Sequence, residues 1–448
     1  MVASLKIDNP LYTEAVKQGR STWNVKPFLF NFDMLPDDSI LVPRGFRSEL
    51  FSMIEGLPYT VTDSRTRFPF VEIDSGAIKY RSYQQRGVTA LLTGGEEGIL
   101  TAPAGSGKTV IGLSLLPLLG QPTLWLTHTR ALALQALDRI PSFLPSLTEE
   151  DVGLLGDSKW KRGRLIDVAL IPTLVRRPED LIALRNEYGL VILDEAHHCP
   201  ASTFTKVINQ LNPYYLYGLT ATPYRRDRLE NLMFQTIGPE LIRISVAEVE
   251  EAGGIVMPVI KYRSIRSPAV YGNDIQNILK TKIIGNRVRS SIIVGDVLRE
   301  AANGHFCIVL TDRKAHADAL YDLIRIGWPR TGIATGKYSK KYVLEQSTLL
   351  NNKEITVLVC TFALLGEGFD VKFLDRAFIA MPFRAEGKVE QLIGRIQRTA
   401  EGKKDAVVYD YVDADIGLLK NQFYSTGKND CRYKAYTRLG LVVEPLET

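Results

Sequence analysis

Short apolar segments alternate with helix-like segments through most of the chain, and this alternation limits the possible folds more than any other feature. The segments before position 224 read GILTAP, PTLWLTH, DVALIP, LVILDEAH and LYGLTATP, and those after position 305 read FCIVLTD, TVLVCTF and RAFIAMP. Near-continuous apolar strands of this kind are typical of parallel sheets covered by helices on both faces. The two clusters therefore predict an α/β protein with two parallel-sheet domains in tandem.

The remaining segments indicate where these domains begin and end. DDSILVPRGFRSELFSMIEG, with a short strand, a Pro/Gly turn and an amphipathic helix, predicts a small N-terminal α+β module. EEAGGIVMPVIKYRSIRSP mixes Gly and Pro with alternating residues and separates the two strand clusters. We therefore expect a module at 1–75, an α/β domain at 76–248, and a second α/β domain with a C-terminal extension at 249–448.

Composition narrows the class of protein. The chain has 448 residues, of which 45% are hydrophobic and 23% charged, as in soluble globular proteins. The apolar run VIGLSLLPLLG is too short to cross a bilayer, and the N-terminus lacks a signal-peptide pattern. The four cysteines form no CxxC pair. We expect a cytoplasmic protein, in a bacterial or phage-infected cell, with no membrane role; its net charge of +5 permits a polyanionic partner.

The strongest chemical signal is TAPAGSGKT, at 101–109, between an apolar strand and an apolar helix. Small residues let backbone N–H groups surround a phosphate, the Lys108 ammonium can reach the β- and γ-phosphates, and the Thr109 hydroxyl can bind Mg²⁺. A glycine-rich turn that binds nothing is the alternative. The predicted ATP-binding residues of this phosphate loop are Gly105, Ser106, Gly107, Lys108 and Thr109.

The stretch VILDEAHHCP, at 191–200, ends another apolar strand with carboxylates, histidines and a cysteine. Beside a phosphate loop, Asp194 would hold Mg²⁺ and Glu195 would accept the proton of the water that attacks the γ-phosphate. A zinc site is the alternative, but this stretch has no further ligands at metal spacing. We therefore predict magnesium chemistry here, with His198 and Cys199 in packing roles.

With both motifs in place, the chain resembles the superfamily 2 helicases and translocases of the DEAH-box type, over about residues 80–400. The resemblance implies two RecA-like domains that use ATP and Mg²⁺. It also makes His197 a residue that senses the nucleotide rather than a ligand. The other segments that carry it are YRSYQQ (glutamine motif), LTHTRALALQ (motif Ia), IPTLVRR, LTATPYRRD (motif III), IVLTDRKAHADAL (motif IV), CTFALLGEGFD (motif V) and QLIGRIQR (motif VI).

This resemblance also implies roles for single residues. In motif VI the spacing agrees with it, since Arg395 and Arg398 lie three apart on one helical face and can act as an arginine finger. The remaining implied roles are adenine recognition by Gln84 with Arg81 nearby, nucleotide contacts by Gly368 and Asp370, catalysis by Gln391, Arg395 and Arg398, coupling by His197, Thr220 and Thr222, and contacts with a nucleic-acid backbone by Thr127, Arg130, Thr173, Arg313 and Thr361.

The arginines directly after motif III and the short N-terminal module make the chain more similar to XPB-like and UvsW-like DNA translocases than to DEAD-box RNA helicases. We expect an ATP-dependent DNA helicase or branch-migration translocase, a monomer moving 3′ to 5′ on forked or Holliday-type DNA in recombination, repair or replication. An RNA helicase, or an ATP-switched remodeller that does not separate strands, is the alternative.

Basic residues outside the motifs offer further candidates for nucleic-acid contacts. The resemblance implies that the N-terminal module grips duplex DNA through Arg44, Arg47, Arg65 and Arg67. DSKWKRGR and CRYKAYTR mix positive charge with aromatic rings, a combination that suits backbone neutralisation beside base stacking. For both stretches, a solvated segment with an aromatic ring anchored in the core is an equal alternative.

Overall fold

The computed structural model describes residues 3–76, 78–156, 158–195, 201–221, 230–266, 275–366, 371, 373–383, 388–425 and 431–446. Contacts divide the chain into two compact units, Met1–Ala252 (unit 1) and Gly253–Thr448 (unit 2). No helix among the described residues is both long enough and apolar enough to cross a membrane. Each unit is built on its own sheet.

Unit 1 begins with small elements and continues as an α/β domain. Its strands are β1 (Lys6–Asp8), β2 (Phe28–Phe30), β3 (Asp33–Met34), β4 (Ile40–Leu41), β5 (Glu97–Thr101), β6 (Thr123–Thr127), β7 (Val152–Gly156), β8 (Lys159–Lys161), β9 (Ile166–Leu170), β10 (Leu190–Asp194), β11 (Tyr215–Thr220) and β12 (Glu240–Arg243). Its helices are α1 (Pro10–Lys17), a 3-10 turn (Arg44–Phe46), α2 (Arg47–Met53), α3 (Ser82–Thr93), α4 (Lys108–Leu119), α5 (Arg130–Phe143), α6 (Ile171–Arg176), α7 (Pro178–Ala183), α8 (Ala201–Ile208), α9 (Glu230–Ile237) and α10 (Val246–Glu251).

The main sheet of unit 1 has the order β12-β5-β11-β10-β6-β9-β7-β8. All neighbours run parallel except β7 and β8. The central strands are buried throughout, as expected for a parallel sheet with both faces covered. Since parallel strands end at the same edge, the ends of β5, β11, β10 and β6 lie side by side, and residues after them can form one site.

The first 75 residues pack onto this sheet. Ile7 belongs to the same apolar cluster as Ile99 of β5, and Thr66 exchanges backbone hydrogen bonds with the Asn212–Tyr214 segment. Gly45 approaches α9 so closely that a Cβ atom there would lie 2.3 Å from the carbonyl oxygen of Phe234. By contacts, the predicted N-terminal module is therefore part of unit 1.

Unit 2 is a second α/β domain. Its strands are β13 (Val259–Ile265), β14 (Cys307–Thr311), β15 (Thr331–Ala334), β16 (Val357–Thr361), β17 (Arg376–Ile379), β18 (Val407–Asp413) and β19 (Val443–Pro445). Its helices are α11 (Ile275–Ile278), a π-helix (Leu279–Ile284), α12 (Arg287–Ala302), α13 (Lys314–Gly327), α14 (Lys340–Asn351), α15 (Phe362–Gly366), α16 (Lys388–Ile396), α17 (Gly417–Phe423) and α18 (Arg432–Arg438).

The sheet of unit 2 has the order β15-β16-β14-β17-β18-β13-β19, and every neighbouring pair is parallel. Apolar clusters cover both of its faces. The predicted fold, two RecA-like parallel-sheet domains in tandem, is confirmed.

Candidate active site

The phosphate loop spans residues 102–107 between β5 and α4. Gly105 and Gly107 have φ values of 81° and 82°, in the left-handed region that favours glycine. Gly107 is also crowded, because a Cβ atom there would lie 2.5 Å from Nε2 of Gln84. Helix α4 follows directly with buried Ile111 and Leu115, so the loop precedes a helix that is packed into the core of unit 1. Its backbone has the form that binds phosphate at a helix N-terminus.

The Lys108 side chain points back along this loop and is only 7% exposed. Its ammonium donates a hydrogen bond to the carbonyl oxygen of Ala102 at 3.1 Å and lies 3.4 Å from Oε1 of Glu195. The predicted phosphate-binding cation and the predicted base are therefore neighbours.

Asp194 and Glu195 stand at the end of β10, between β6 and β11. Burial, together with the Glu195 carboxylate, raises the pKa of Asp194, and nearby Lys108 and Arg139 oppose this rise. Glu195 has φ 50°, an uncommon left-handed conformation for a residue other than glycine. Such strain is often found at functional sites, and here it occurs at the predicted base.

Thr109 and Asp194 supply the oxygen donors that Mg²⁺ prefers, and the electrostatics of the described residues connect them. Arg139, on α5, donates a hydrogen bond to the Thr109 hydroxyl at 3.1 Å. Burial lowers the pKa of Arg139, and the Asp194 carboxylate opposes that effect. The fit to a divalent cation bound with a nucleotide rests on these oxygen donors, a hydroxyl and a buried carboxylate beside the phosphate loop.

Sequence reasoning missed Arg139. The available signal was its position in α5, where Ala136 and Ile140 are buried on either side of it. An arginine at the edge of a buried helix face needs a polar partner inside the protein. This signal identifies a half-buried arginine but not the Thr109 hydroxyl as its partner.

Gln84 ties the start of α3 to the phosphate loop. Its Oε1 accepts a hydrogen bond from the backbone N–H of Arg81, and its Nε2 donates to the carbonyl oxygen of Ser106, each at 3.0 Å. The side chain of Arg81 itself is exposed. Gln84 therefore lies directly beside the phosphate loop, and its role in adenine recognition stays a prediction.

Thr220, at the end of β11, is buried and accepts a hydrogen bond through its carbonyl oxygen from the backbone N–H of Ala102, at 2.9 Å. This coupling candidate therefore contacts the phosphate loop through its backbone. The predictions for six other residues concern positions outside the described part of the chain: His197, His198, Cys199, Thr222, Gly368 and Asp370.

Motif VI begins on α16 of unit 2, but Arg398 follows the end of that helix, so the expectation that Arg395 and Arg398 share one helical face is wrong. The apolar side of this helix buries Leu392 and Ile396, which leaves Gln391 exposed and Arg395 and Arg398 half-buried. Just past the helix, Arg398 pairs with Ile255 in an antiparallel backbone bridge. Both arginines thus lie close to the surface of unit 2.

The predicted nucleic-acid residues lie at the same sheet edges as the motifs but differ in exposure. Arg130 and Arg313 are exposed at the starts of α5 and α13, and Thr173 is half-buried in α6. Thr127 and Thr361 are buried at the ends of β6 and β16. Their burial argues against direct contacts between these two hydroxyls and a backbone phosphate.

Several basic residues outside the motifs form ion pairs and hydrogen bonds within the protein. Arg44 pairs with Glu97 and donates to the carbonyl oxygen of Tyr214 at 2.6 Å. Arg432 is fully buried, with two hydrogen bonds to Asp410 at 2.7 and 2.9 Å. For Arg44 and Arg432, the hypothesis of a nucleic-acid contact is therefore not supported, because these two guanidinium groups stabilise the fold.

The charged side chains of DSKWKRGR have two kinds of surroundings. Arg162 and Arg164 pair with Asp167 and Asp151, whereas Lys159 and Lys161 are exposed on β8. Trp160 packs under the guanidinium of Arg177, 4.0 Å from the ring centre. These contacts favour the alternative of a solvated segment whose aromatic ring is anchored by packing.

Comparisons with known proteins agree with this geometry. Residues 77–225 match the family model "type III restriction enzyme, res subunit". A "probable helicase" of Escherichia phage T5 is 23% identical over 423 residues, covering 92% of this chain and 88% of that protein. The chain resembles the superfamily 2 helicases. Its helicase relatives imply an ATP-hydrolysing enzyme.

The names of two other helicase relatives differ in the nucleic acid that they give. A "putative ATP-dependent RNA helicase" of Acanthamoeba polyphaga mimivirus is 25% identical over 358 residues, with 76% of this chain and 66% of that protein covered. A "putative DNA 3′-5′ helicase" of Haloarcula marismortui is 30% identical over 188 residues, with 42% of this chain and 30% of that protein covered.

Solved helicase structures share the fold. The helicase domain of Pyrococcus furiosus Hef has a TM-score of 0.53 at 16% identity and covers 76% of this chain and 97% of that one. S. cerevisiae Dbp5 bound to RNA and ADP BeF3 also has a TM-score of 0.53 at 16% identity, with 82% and 90% covered. At this identity the likeness concerns the fold alone.

Proposed function

We propose that this chain is an ATP-dependent DNA helicase or translocase that acts on forked or branched DNA in recombination, repair or replication. The observation that carries the ATPase half of this proposal is the proximity of the Lys108 ammonium to the Glu195 carboxylate, 3.4 Å apart beside the phosphate loop. A phosphate-binding cation and a base at one loop are the parts that phosphoryl transfer to water requires.

In the proposed reaction, backbone N–H groups of the loop and the Lys108 ammonium bind the β- and γ-phosphates. Glu195 orients a water molecule and takes its proton as the water oxygen bonds to the γ-phosphorus; the bond from that phosphorus to the β–γ bridging oxygen breaks, and ADP and phosphate leave. Thr109 and Asp194 would hold Mg²⁺, which when bound neutralises charge on the phosphate oxygens. Gln84 would recognise the base from its position beside Ser106.

We assign the arginine-finger role to Arg395 and Arg398 of motif VI, with Gln391 one turn before Arg395. A guanidinium supplies a planar set of donors that stabilises charge on the transferred phosphoryl group. The coupling roles of His197, Thr220 and Thr222, and the nucleotide contacts of Gly368 and Asp370, remain part of the same proposal.

For the nucleic acid, exposed Arg130 and Arg313 at the sheet edges are the candidates best placed to bind backbone phosphates. The choice of DNA is supported by the name of the Haloarcula relative, at the highest identity of the three relatives described above. The second candidate, an RNA helicase, is supported by the name of the mimivirus relative.

Stimulation of ATP hydrolysis, together with strand separation on matched DNA and RNA forks, tests the proposal. We expect faster ATP turnover with DNA than with RNA, and separation of forked and four-way DNA. A labelled 3′ or 5′ tail reports the direction of movement, which we expect to be 3′ to 5′. Measurement of the molecular mass by sedimentation reports whether the chain acts as a monomer. Stimulation and unwinding by RNA alone would overturn the DNA assignment, and DNA-stimulated turnover without separation would replace unwinding with remodelling.

A further inference from the structure

Lys403 lies just beyond motif VI and uses its ammonium on the backbone of that motif. It donates hydrogen bonds to the carbonyl oxygens of Arg398 at 2.8 Å, Leu374 at 2.6 Å and Ile396. An ammonium has three donors, and all three are directed at carbonyl oxygens. Ile396 is the last residue of α16, where helix carbonyls lack partners within the helix and a positive charge is favourable.

The segment 253–258, at the start of unit 2, holds the same backbone from another direction. The backbone N–H of Val256 donates to the carbonyl oxygen of Gln397 at 2.8 Å, and Ile255 pairs with Arg398. Gln397 and Arg398 are thus held by a strand-like bridge and by a charged hydrogen-bond donor. The backbone that carries Arg398 has little freedom to move.

We propose that Lys403 is a positioning residue for the motif VI arginines. The ammonium of Lys403 fixes the backbone of Arg398, so that the guanidinium of Arg398 is presented in one orientation. This inference rests on the proposed arginine-finger role of Arg398. Lys403 has no direct contact with the reacting atoms in this arrangement. It acts by lowering the number of conformations open to a group that must be aligned in the transition state.

The surroundings of Lys403 make its charge sensitive to pH. The charged groups that face it are Asp375 and Arg376 at the start of β17, Arg398 past α16, and Asp405 before β18. Burial lowers the pKa of Lys403 to about 8; Arg376 and Arg398 act in the same direction, whereas Asp375 and Asp405 oppose it. Asp375 also lies within hydrogen-bond distance of His305, with its Oδ2 atom 2.8 Å from Nδ1. As pH rises through this value, the ammonium loses its charge and one donor.

The test compares Lys403→Met and Lys403→Arg with wild type in nucleic-acid-stimulated ATP hydrolysis between pH 7 and 9.5. We expect Lys403→Met to lower kcat about tenfold with little change in KM, because alignment rather than ATP binding is lost. We expect wild-type kcat to fall above pH 8, and the fall to be absent in Lys403→Arg, whose guanidinium keeps its charge. Lys404→Met, at the exposed neighbouring lysine, is the matched control and should behave as wild type.

Wild-type kcat and KM in a folded Lys403→Met variant would overturn the proposal. If Lys403→Met does not fold, the pH profiles decide: an equal fall above pH 8 in wild type and Lys403→Arg also overturns it. Arg398→Ala separates this inference from the proposed function. Normal hydrolysis in Arg398→Ala removes the finger role itself, whereas low hydrolysis there with a normal Lys403→Met variant removes only the role of Lys403.

Discussion

The ammonium of Lys108 and the carboxylate of Glu195 lie 3.4 Å apart, with side chains 7% and 21% exposed. Two opposite charges this close and this shielded attract each other more strongly than an exposed pair would. Any phosphate that binds the loop must therefore share Lys108 with Glu195. The pair provides a direct route by which the bound nucleotide can alter the environment of the base.

Glu195→Gln should lower the rate of ATP hydrolysis by roughly 100-fold or more, because the amide cannot accept the proton of the attacking water. Lys108→Ala should have a similar effect through lost phosphate binding. Nucleic-acid binding should survive in both variants, as measured by fluorescence anisotropy. Glu150→Gln, at a side chain 79% exposed, is the matched control. Normal turnover in Glu195→Gln would show that another group is the base.

Arg139→Met should lower ATP hydrolysis about tenfold, because the Thr109 hydroxyl loses the donor that orients it. The same change should also lower thermal stability, since the buried Asp194 carboxylate loses a favourable neighbour. Steady-state kinetics and thermal unfolding measure the two effects. Arg176→Met, at an exposed arginine of α6, should change neither. Unchanged kinetics in Arg139→Met would mean that Thr109 needs no such partner.

Gln84→Glu and Gln84→Ala should differ in the hydrogen bonds that they keep with the backbone. The carboxylate of the first can still accept from the backbone of Arg81 but cannot donate to Ser106, whereas the second loses both hydrogen bonds. We expect a higher KM for ATP in both variants. Gln84→Ala should lose about 1–3 kcal/mol of stability, and Gln84→Glu should lose more, because its buried carboxylate would face the carbonyl oxygen of Ser106. Equal KM values for ATP and GTP in wild type would argue against base recognition by Gln84.

His316 should make unit 2 less stable in acid. Burial, with a smaller contribution from Arg289, lowers the pKa of His316 to about 3, so below its ordinary value of about 6.5 only the unfolded chain gains the proton. The stability difference is absent at pH 7 and grows as pH falls. At pH 5 it should reach about 2 kcal/mol. Urea unfolding of wild type and His316→Gln at both pH values measures it; parallel losses in the two proteins would contradict the prediction.

Arg432→Met should destabilise the protein by about 3–5 kcal/mol, because it leaves the Asp410 carboxylate buried without its cation. Arg438→Met removes an arginine of the same helix, paired with Glu390 at 3.0 Å on the surface, and should cost at most about 1 kcal/mol. Urea unfolding compares the two variants. Similar losses in both would show that burial does not decide the strength of these pairs.

Periodicity and motif order were sufficient to predict much of the fold. Apolar strands buried on both faces differ from surface strands in sequence, so two parallel sheets could be predicted. The phosphate loop was equally visible, because Gly105 and Gly107 occupy backbone conformations that other residues avoid. Local patterns of this kind carry their structural cause within a few neighbouring residues.

Side-chain partners far apart in the chain could not be predicted in the same way. In CRYKAYTR the pattern of charge and rings is the same whether Arg432 faces solvent or Asp410, and only the packing of α18 against β18 turns it inward. Arg44 and Arg139 are similar cases, since their partners are distant in sequence. Thr127 and Thr361 end β6 and β16, and their burial there follows from the packing around those strand ends, which the local sequence does not show.

The sequence by itself determined the two parallel sheets and the position of the phosphate loop, because apolar strand patterns and glycine-rich turns are local properties of the chain. Tertiary structure alone decided which charges meet, including Lys108 with Glu195, Arg139 with Thr109, and Lys403 with the carbonyl oxygens of motif VI. The physical reason is that electrostatic partners depend on distance in space and on burial, and neither is written in the spacing of residues along the chain.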